Sequence, residues 1–154
     1  MNKKFLLMLV LACGALAARA QVPDFEALAK DKKITYLYMS RGIFSLGTVS
    51  VSPLPVSVDM QQIIQKLDAL QVIRADTKRS SDRAEAAVRR IIRRGGYALL
   101  MQLDEDGKAV TIHHGTHDGA KVVILCSREG PKYGVMVFSG DFTLEDMTGL
   151  VRQR

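Results

Sequence analysis

The stretch YALLMQLDEDGKAVTIHHGTHDGAKVVILCSREGPKYGVMVFS, residues 97–139, decides the fold because it contains four predicted strands in succession. The strands are predicted at residues 97–103, 108–113, 121–127 and 133–139. The first pair is joined through Asp106-Gly107, a dipeptide typical of tight β-hairpins, and the last pair through a segment that contains Gly130. Because hairpin-linked strands run in opposite directions, this half of the chain predicts an antiparallel sheet.

Two further patterns lie within this stretch. The strand over residues 97–103 is apolar on both faces, which is typical of a strand at the centre of a sheet. Residues 114–119, between the two hairpins, are rich in glycine and polar side chains and predict a turn-like tip. We therefore expect the first strand in the interior of the sheet and the tip at one of its ends.

The residues before this stretch predict helices that alternate with strands. Helices are predicted over residues 24–29, 59–67 and 82–94 and after Thr143, and strands over residues 34–39 and 70–75. In the third helix, Asp82 and Glu85 have the spacing of an acidic capping box, and Gly95-Gly96 is a typical C-terminal stop. Residues 76–81 are polar and are predicted as a linker.

This order of elements predicts one α+β domain over residues 21–154. Its sheet is expected to be mostly antiparallel, with five to six strands and with helices packed on one face. Residues 47–58 alternate serine with valine and contain Pro53 and Pro55, so they predict an extended loop or an edge strand.

The first 20 residues have the pattern of a secretory signal peptide. Two lysines precede an apolar stretch, and a small-residue site ends at Ala20, so we expect cleavage between Ala20 and Gln21. The apolar stretch is shorter than the roughly 20 residues that span a bilayer, and no transmembrane helix is expected in the mature chain. A lipoprotein anchored through Cys13 is the alternative. The protein is therefore predicted to be periplasmic or secreted.

Cleavage would alter both the charge and the cysteine content of the chain. The formal net charge of +6 includes Lys3, Lys4 and Arg19, so the mature chain would carry +3. Cys126 would be the single cysteine left, which excludes an intramolecular disulfide, and its apolar neighbours predict a buried, inert thiol. We expect no nucleic-acid partner, because the chain is predicted to be exported and no aromatic residue interleaves its arginine-rich segment.

The predicted helix over residues 82–94 carries the first candidate binding surface. About 100° per residue places its apolar side chains on one side and its arginines on the other. The arginines are Arg83, Arg89, Arg90, Arg93 and Arg94. Such a surface can bind phospholipid headgroups, a polyanionic glycan or an acidic protein patch. It can equally be a solvated face whose late arginines favour the negative end of the helix dipole.

All three histidines lie close together, which makes a metal site the second hypothesis. Imidazole and carboxylate groups suit zinc or copper, and His114, His117 and Asp118 can meet across the predicted tip. His113 is adjacent to His114 in a strand, so these two side chains point to opposite faces. A metal-binding protein or metal-dependent enzyme would use His114 and His117, whereas a polar strand end explains the same residues without a metal.

The sequence lacks the familiar catalytic motifs. It contains no G-x-S-x-G, H-E-x-x-H or C-x-x-C pattern and no glycine-rich phosphate loop. The carboxylates at residues 104–106 are typical of a solvated hairpin turn. We therefore favour a non-catalytic binding or interaction module without a cofactor, whose partner is an envelope protein or an anionic component of the cell envelope.

Several segments together carry a family resemblance. They are the signal peptide ending at Ala20-Gln21, the opening Phe25-x-x-Leu28, the strand over residues 34–40, the double-arginine helix ending at Gly96-Tyr97, and Phe138-Ser139-Gly140-Asp141. In these features the chain resembles the DUF4252 family, small exported proteins found mainly in Bacteroidota. The resemblance spans nearly all of the mature chain. It implies an exported protein of the predicted fold and no catalytic residue.

Overall fold

Six antiparallel strands form one open sheet in the computed structural model, which describes residues 25–44, 63–143, 145 and 146. The strands are β1 (Ile34–Ser40), β2 (Leu67–Ala75), β3 (Ala98–Glu105), β4 (Lys108–His117), β5 (Ala120–Glu129) and β6 (Lys132–Gly140). The helices are α1 (Arg41–Phe44) and α2 (Lys78–Gly95), with 3-10 helices at Glu26–Lys30 and Ile64–Lys66. The predicted α+β fold with an antiparallel sheet is confirmed.

The strands follow the order β1-β2-β6-β5-β4-β3 across the sheet. β3 to β6 form a meander, and β6 then pairs with β2, so α2 connects a central strand with the far edge. The prediction that residues 97–103 form a central strand was wrong, because β3 is an edge strand. The central places belong to β2, β5 and β6, whose side chains are mostly buried on both faces.

Three tight turns join the strands of the meander. Asp106-Gly107 and Asp118-Gly119 have successive positive φ angles, 49° and 78° in the first and 48° and 81° in the second, as type I′ hairpins require. Gly130, at φ 54°, lies in the third turn. The hairpin at Asp106-Gly107 is confirmed. The tip predicted over residues 114–119 was too long, because β4 pairs with β5 as far as His117.

α2 begins at Lys78, before the predicted start at Asp82. Thr77 is its cap: the Ser80 N–H donates to Thr77 Oγ1 over 3.3 Å, and the Thr77 N–H donates to Ser80 Oγ over 3.3 Å. This reciprocal pair is a capping box, and it places most of the predicted linker inside the helix. Gly96, with φ 66°, ends the helix as predicted.

Both faces of the sheet are apolar, and α2 covers one of them. Ala84 and Val88 of α2 belong to a buried cluster with side chains of the central strands, among them Ile73, Ile124, Val135 and Val137. A second cluster on the opposite face includes Leu70, Leu125, Met136 and Phe138. Most side chains of β2, β5 and β6 are buried, so these strands form most of the core. Burial of one such apolar side chain stabilises a fold by about 1.5–3 kcal/mol.

The other predicted elements had mixed outcomes. The strand over residues 34–39 is confirmed as β1, and the strand over residues 70–75 lies within β2. The helix predicted over residues 59–67 was wrong at its end, because Leu67 already belongs to β2 and the described helical turn is Ile64–Lys66. The opening segment forms a 3-10 helix whose N-cap is Phe25.

Some predictions concern residues outside the described ranges. The signal peptide over residues 1–20, the segment 47–58 and the helix start at Asp59 are among them. At the other end of the chain, the Asp146 N–H donates to Thr143 Oγ1 over 3.2 Å, and the Thr143 N–H donates to Asp146 Oδ2 over 2.8 Å. Thr143 therefore caps a helical turn as predicted, and the residues after Asp146 lie outside the described ranges.

Candidate functional site

The arginines of α2 form a continuous surface along the side of the helix that faces away from the sheet. Five of them lie within an arc of about 100°, opposite the buried Ala84 and Val88. We call these five residues the basic stripe: Arg79, Arg83, Arg90, Arg93 and Arg94. At about 1.5 Å per residue, the stripe is about 22 Å long. Arg79 was missing from the predicted set because the predicted helix began after it.

Most of the basic stripe has no counter-charge among the described residues. Arg83 is paired with Asp31, whose Oδ2 lies 2.9 Å from Arg83 Nη1. Arg79, Arg90, Arg93 and Arg94 are exposed and form no ion pair with another described residue. Four exposed guanidinium groups thus lie on one face of α2 without an acidic partner in the described ranges.

Arg89 was predicted with this set, but it belongs to a different surface. It contacts Glu85 over 2.7 Å, and Glu85 also contacts Arg128 of β5 over 3.0 Å. Arg128 reaches Asp82 over 2.9 Å, and Asp82 in turn pairs with Lys78 over 2.8 Å. Hydrogen bonds from Lys78 and Arg128 lower the pKa of Asp82. This charge network connects α2 to β5 and leaves Arg89 beside the sheet.

A cleft of about 330 Å³ lies where the sheet extends beyond α2. Its wall is formed by Glu85, Arg89 and Ile92 of α2. Its floor includes Thr111, His113, Cys126 and Tyr133, and its outer rim includes Leu99, Gln102 and Asp104 of β3. Charged groups therefore lie at the wall and rim, and polar groups lie on the floor.

The floor of the cleft is uncharged at neutral pH. Burial raises the pKa of the Cys126 thiol to about 11 and also raises the pKa of the Tyr133 phenol. The thiol hydrogen-bonds with Tyr133 and Thr111, neither of which takes its proton at neutral pH. Burial lowers the pKa of His113, whose Nδ1 has no hydrogen-bond partner among the described residues. The floor can bind polar groups, but its cysteine is buried, as predicted, and remains a thiol.

The three histidines do not converge on one point. Strand alternation places His113 and His117 on the α2 face of β4 and places His114 on the opposite face. His117 Nε2 lies 3.6 Å from Asp118 Oδ2. Within the described ranges, no group of three or more histidine, cysteine, aspartate or glutamate side chains could hold a metal ion. The predicted meeting of His114 with His117 is therefore absent, because β4 continues through both residues.

The family resemblance is confirmed by comparison with family models. Residues 25–150 match the model of DUF4252, a domain of unknown function. The chain belongs to this family. No curated protein and no solved structure gives a significant match. Among the described helices of this DUF4252 protein, none has the length and apolar character needed to cross a membrane.

Two features of these surfaces escaped the sequence analysis. Arg128 shares a face of β5 with Ile124 and Cys126, and that face lies beneath α2. A charged side chain on the helix-facing side of a strand is a signal for an acidic partner on the helix. The second feature is the edge position of β3, for which the local sequence contains no comparable signal.

Proposed function

We propose that this protein is a non-catalytic binding module of the bacterial cell envelope and that its basic stripe binds an anionic, phosphate-bearing surface. The observation that carries the proposal is the set of four exposed arginines without an ion pair among the described residues. A guanidinium group presents forked N–H donors that match the geometry of phosphate oxygens. The signal-peptide pattern of residues 1–20 supports an envelope location.

The shape of the basic stripe favours an extended anion over a small ligand. The four arginines lie on a convex helix face, from Arg79 to Arg94, over about 22 Å. A small anion would contact one or two of them, whereas a layer of phosphate headgroups can contact the whole row. Each arginine near such a layer contributes about 1 kcal/mol.

Binding by the basic stripe is expected to be electrostatic. The exposed residue between Arg83 and Arg90 on this face is Ala86, which is too small to insert into a lipid layer. Attraction of this kind is screened by salt over about 8–10 Å at physiological ionic strength. Affinity should therefore fall steeply as salt rises.

Sedimentation with lipid vesicles tests the proposal. Purified protein is mixed with phosphatidylcholine vesicles that contain phosphatidylglycerol, at low and at high salt. We expect binding at low salt, release at high salt and no binding to vesicles of phosphatidylcholine alone. The double variant Arg90→Glu and Arg93→Glu should bind at least about tenfold more weakly, since each arginine contributes about 1 kcal/mol.

The matched control reverses the charge of two lysines outside α2. Lys121 and Lys132 are exposed at the starts of β5 and β6, and their replacement by glutamate changes the net charge by the same amount. The control variant should bind the anionic vesicles nearly as well as the wild type. Equal losses in the two double variants would mean that net charge alone drives binding, and the proposal would then fail.

A further inference from the structure

We propose that two copies of this protein associate through their β3 strands, which pair antiparallel around a two-fold axis and join the two sheets into one. This inference goes beyond the proposed function and shares with it only Arg93 and Arg94 of the basic stripe. It begins with the position of β3, which pairs with β4 alone among the described strands. On its other side, β3 therefore presents N–H and C=O groups over Ala98–Glu105 that pair with no other described strand.

The side chains of β3 suit a paired strand better than a free edge. Its first six residues are uncharged, and Leu99 and Leu100 are 53% and 43% exposed. Free edges in natural proteins usually carry lysine or another charged side chain, or a proline, which prevents pairing. β3 has a bulge between Leu99 and Met101, after which its register with β4 is regular to Glu105. A second strand would bury the two exposed leucines.

The charges at the two ends of β3 select a second copy as the partner. The strand ends in Asp104 and Glu105, neither of which forms an ion pair with another described residue. It begins just after the last turn of α2, which carries Arg93 and Arg94. When two β3 strands pair antiparallel, the acidic end of each lies beside the basic end of the other. The same attraction then forms twice, as a two-fold interface requires.

The opposite edge of the sheet lacks this complementarity. β1 also exposes apolar side chains, with Leu37 44% and Tyr38 51% exposed. It is preceded by Lys32 and Lys33 and followed by Arg41, which is paired with Asp68 over 2.9 Å, so neither end offers an unpaired acidic side chain among the described residues. Antiparallel pairing of two β1 strands would place like charges together, which is unfavourable. The two edges are thus similar in hydrophobicity and differ in charge.

Analytical ultracentrifugation of the purified protein over a range of concentrations tests this inference. We expect a reversible equilibrium between one chain and two. The variant with Leu99→Lys and Leu100→Lys should raise the dimer dissociation constant at least tenfold. The matched control, with Leu37→Lys and Tyr38→Lys on β1, should leave it within about twofold.

An exchange of charges provides a second test, which does not depend on the leucines. Glu105→Lys should weaken the dimer several-fold, and adding Arg94→Glu to it should restore most of the loss. In hydrogen exchange, the amides of β3 should become better protected as protein concentration rises.

Three outcomes would overturn the inference. The first is a single chain at every concentration up to about 1 mM, where a contact contributes only about 4 kcal/mol. The second is a dimer whose affinity is unchanged in the leucine variant. The third is a loss of association in the β1 control. The last result would indicate open-ended assembly through both edges. Circular dichroism of each variant identifies one that fails to fold, and the charge exchange then decides.

Discussion

β6 and β3 are both apolar strands of the same meander, yet they have opposite environments. β6 pairs with a strand on each side, and Phe138 within it is fully buried. β3 pairs with β4 alone, and Leu99 within it is 53% exposed. The difference shows that burial at the centre of the sheet stabilises the fold, whereas β3 contributes the outer rim of the cleft and an edge of the described sheet.

The largest expected effect is a difference in the free energy of unfolding between a substitution in β6 and one in β3. Phe138→Ala should lower the free energy of unfolding by about 3–5 kcal/mol, because it removes a buried ring and leaves a cavity. Leu99→Ala, at an exposed position, should change it by less than about 0.5 kcal/mol in dilute protein. Urea denaturation followed by circular dichroism measures both. A similar loss in the two variants would contradict the assignment of β3 to the edge.

A smaller effect is expected from the contact between α2 and β5. Arg128 donates to Glu85 and Asp82 over 3.0 and 2.9 Å, and its side chain is 21% exposed. Arg128→Met should therefore lower the free energy of unfolding by about 1–2 kcal/mol, after allowance for solvent screening.

Arg74→Met is the matched control for Arg128. Arg74 pairs with Asp76 over 3.3 Å at a site where both side chains are about half exposed. Its replacement should change the free energy of unfolding by less than about 0.5 kcal/mol, as is usual for exposed pairs. If the two substitutions have equal effects, the charge network does not hold α2 on the sheet.

The smallest expected effect is a pH dependence that arises from β4. Burial lowers the pKa of His113, so the folded protein binds a proton there less readily than the unfolded chain does. Stability should be complete above the unfolded value of about 6.5 and should decrease as pH falls below it. His113→Gln should reduce this decrease between pH 7 and pH 5.

His117→Gln serves as the control for the histidine effect and should retain the pH dependence of the wild type. Asp146 does not interfere in this range. Its hydrogen bond with Lys66 is the main reason that its pKa falls to about 2, so its contribution is lost only in much stronger acid. If His113→Gln loses as much stability as the wild type between pH 7 and pH 5, the burial of His113 is not the cause of that loss.

The features that sequence predicted well are local. The hairpin at Asp106-Gly107 and the helix end at Gly96 depend on residues that accept positive φ angles. Residues adjacent in sequence are enough to predict such turns. The start of α2 was missed because Asp82 and Glu85 have the same spacing as a capping box. Asp82 instead pairs with Lys78 and Arg128, and Thr77 has the capping role.

The features that sequence missed depend on distant partners. The first six residues of β3 are uncharged and have the composition of a central strand, but the place of β3 is fixed by the pairing of β6 with β2. The apolar and basic faces of α2 were predicted from helical periodicity. The separation of Arg89 from the basic stripe depends on Arg128, which approaches from another element. His114 and His117 were predicted in a turn, but both lie in β4, which pairs with β5 as far as His117.

The central place of β6 affects the order in which the sheet can form. A chain is synthesised from its N-terminus, and β6 is the last of the described strands to be made. Until Lys132–Gly140 is complete, β2 and β5 each lack a neighbour, and the described strands form two separate groups, β1 with β2 and β3 with β4 and β5. A premature stop after Glu129 would therefore remove the middle of the sheet and leave both of its edges.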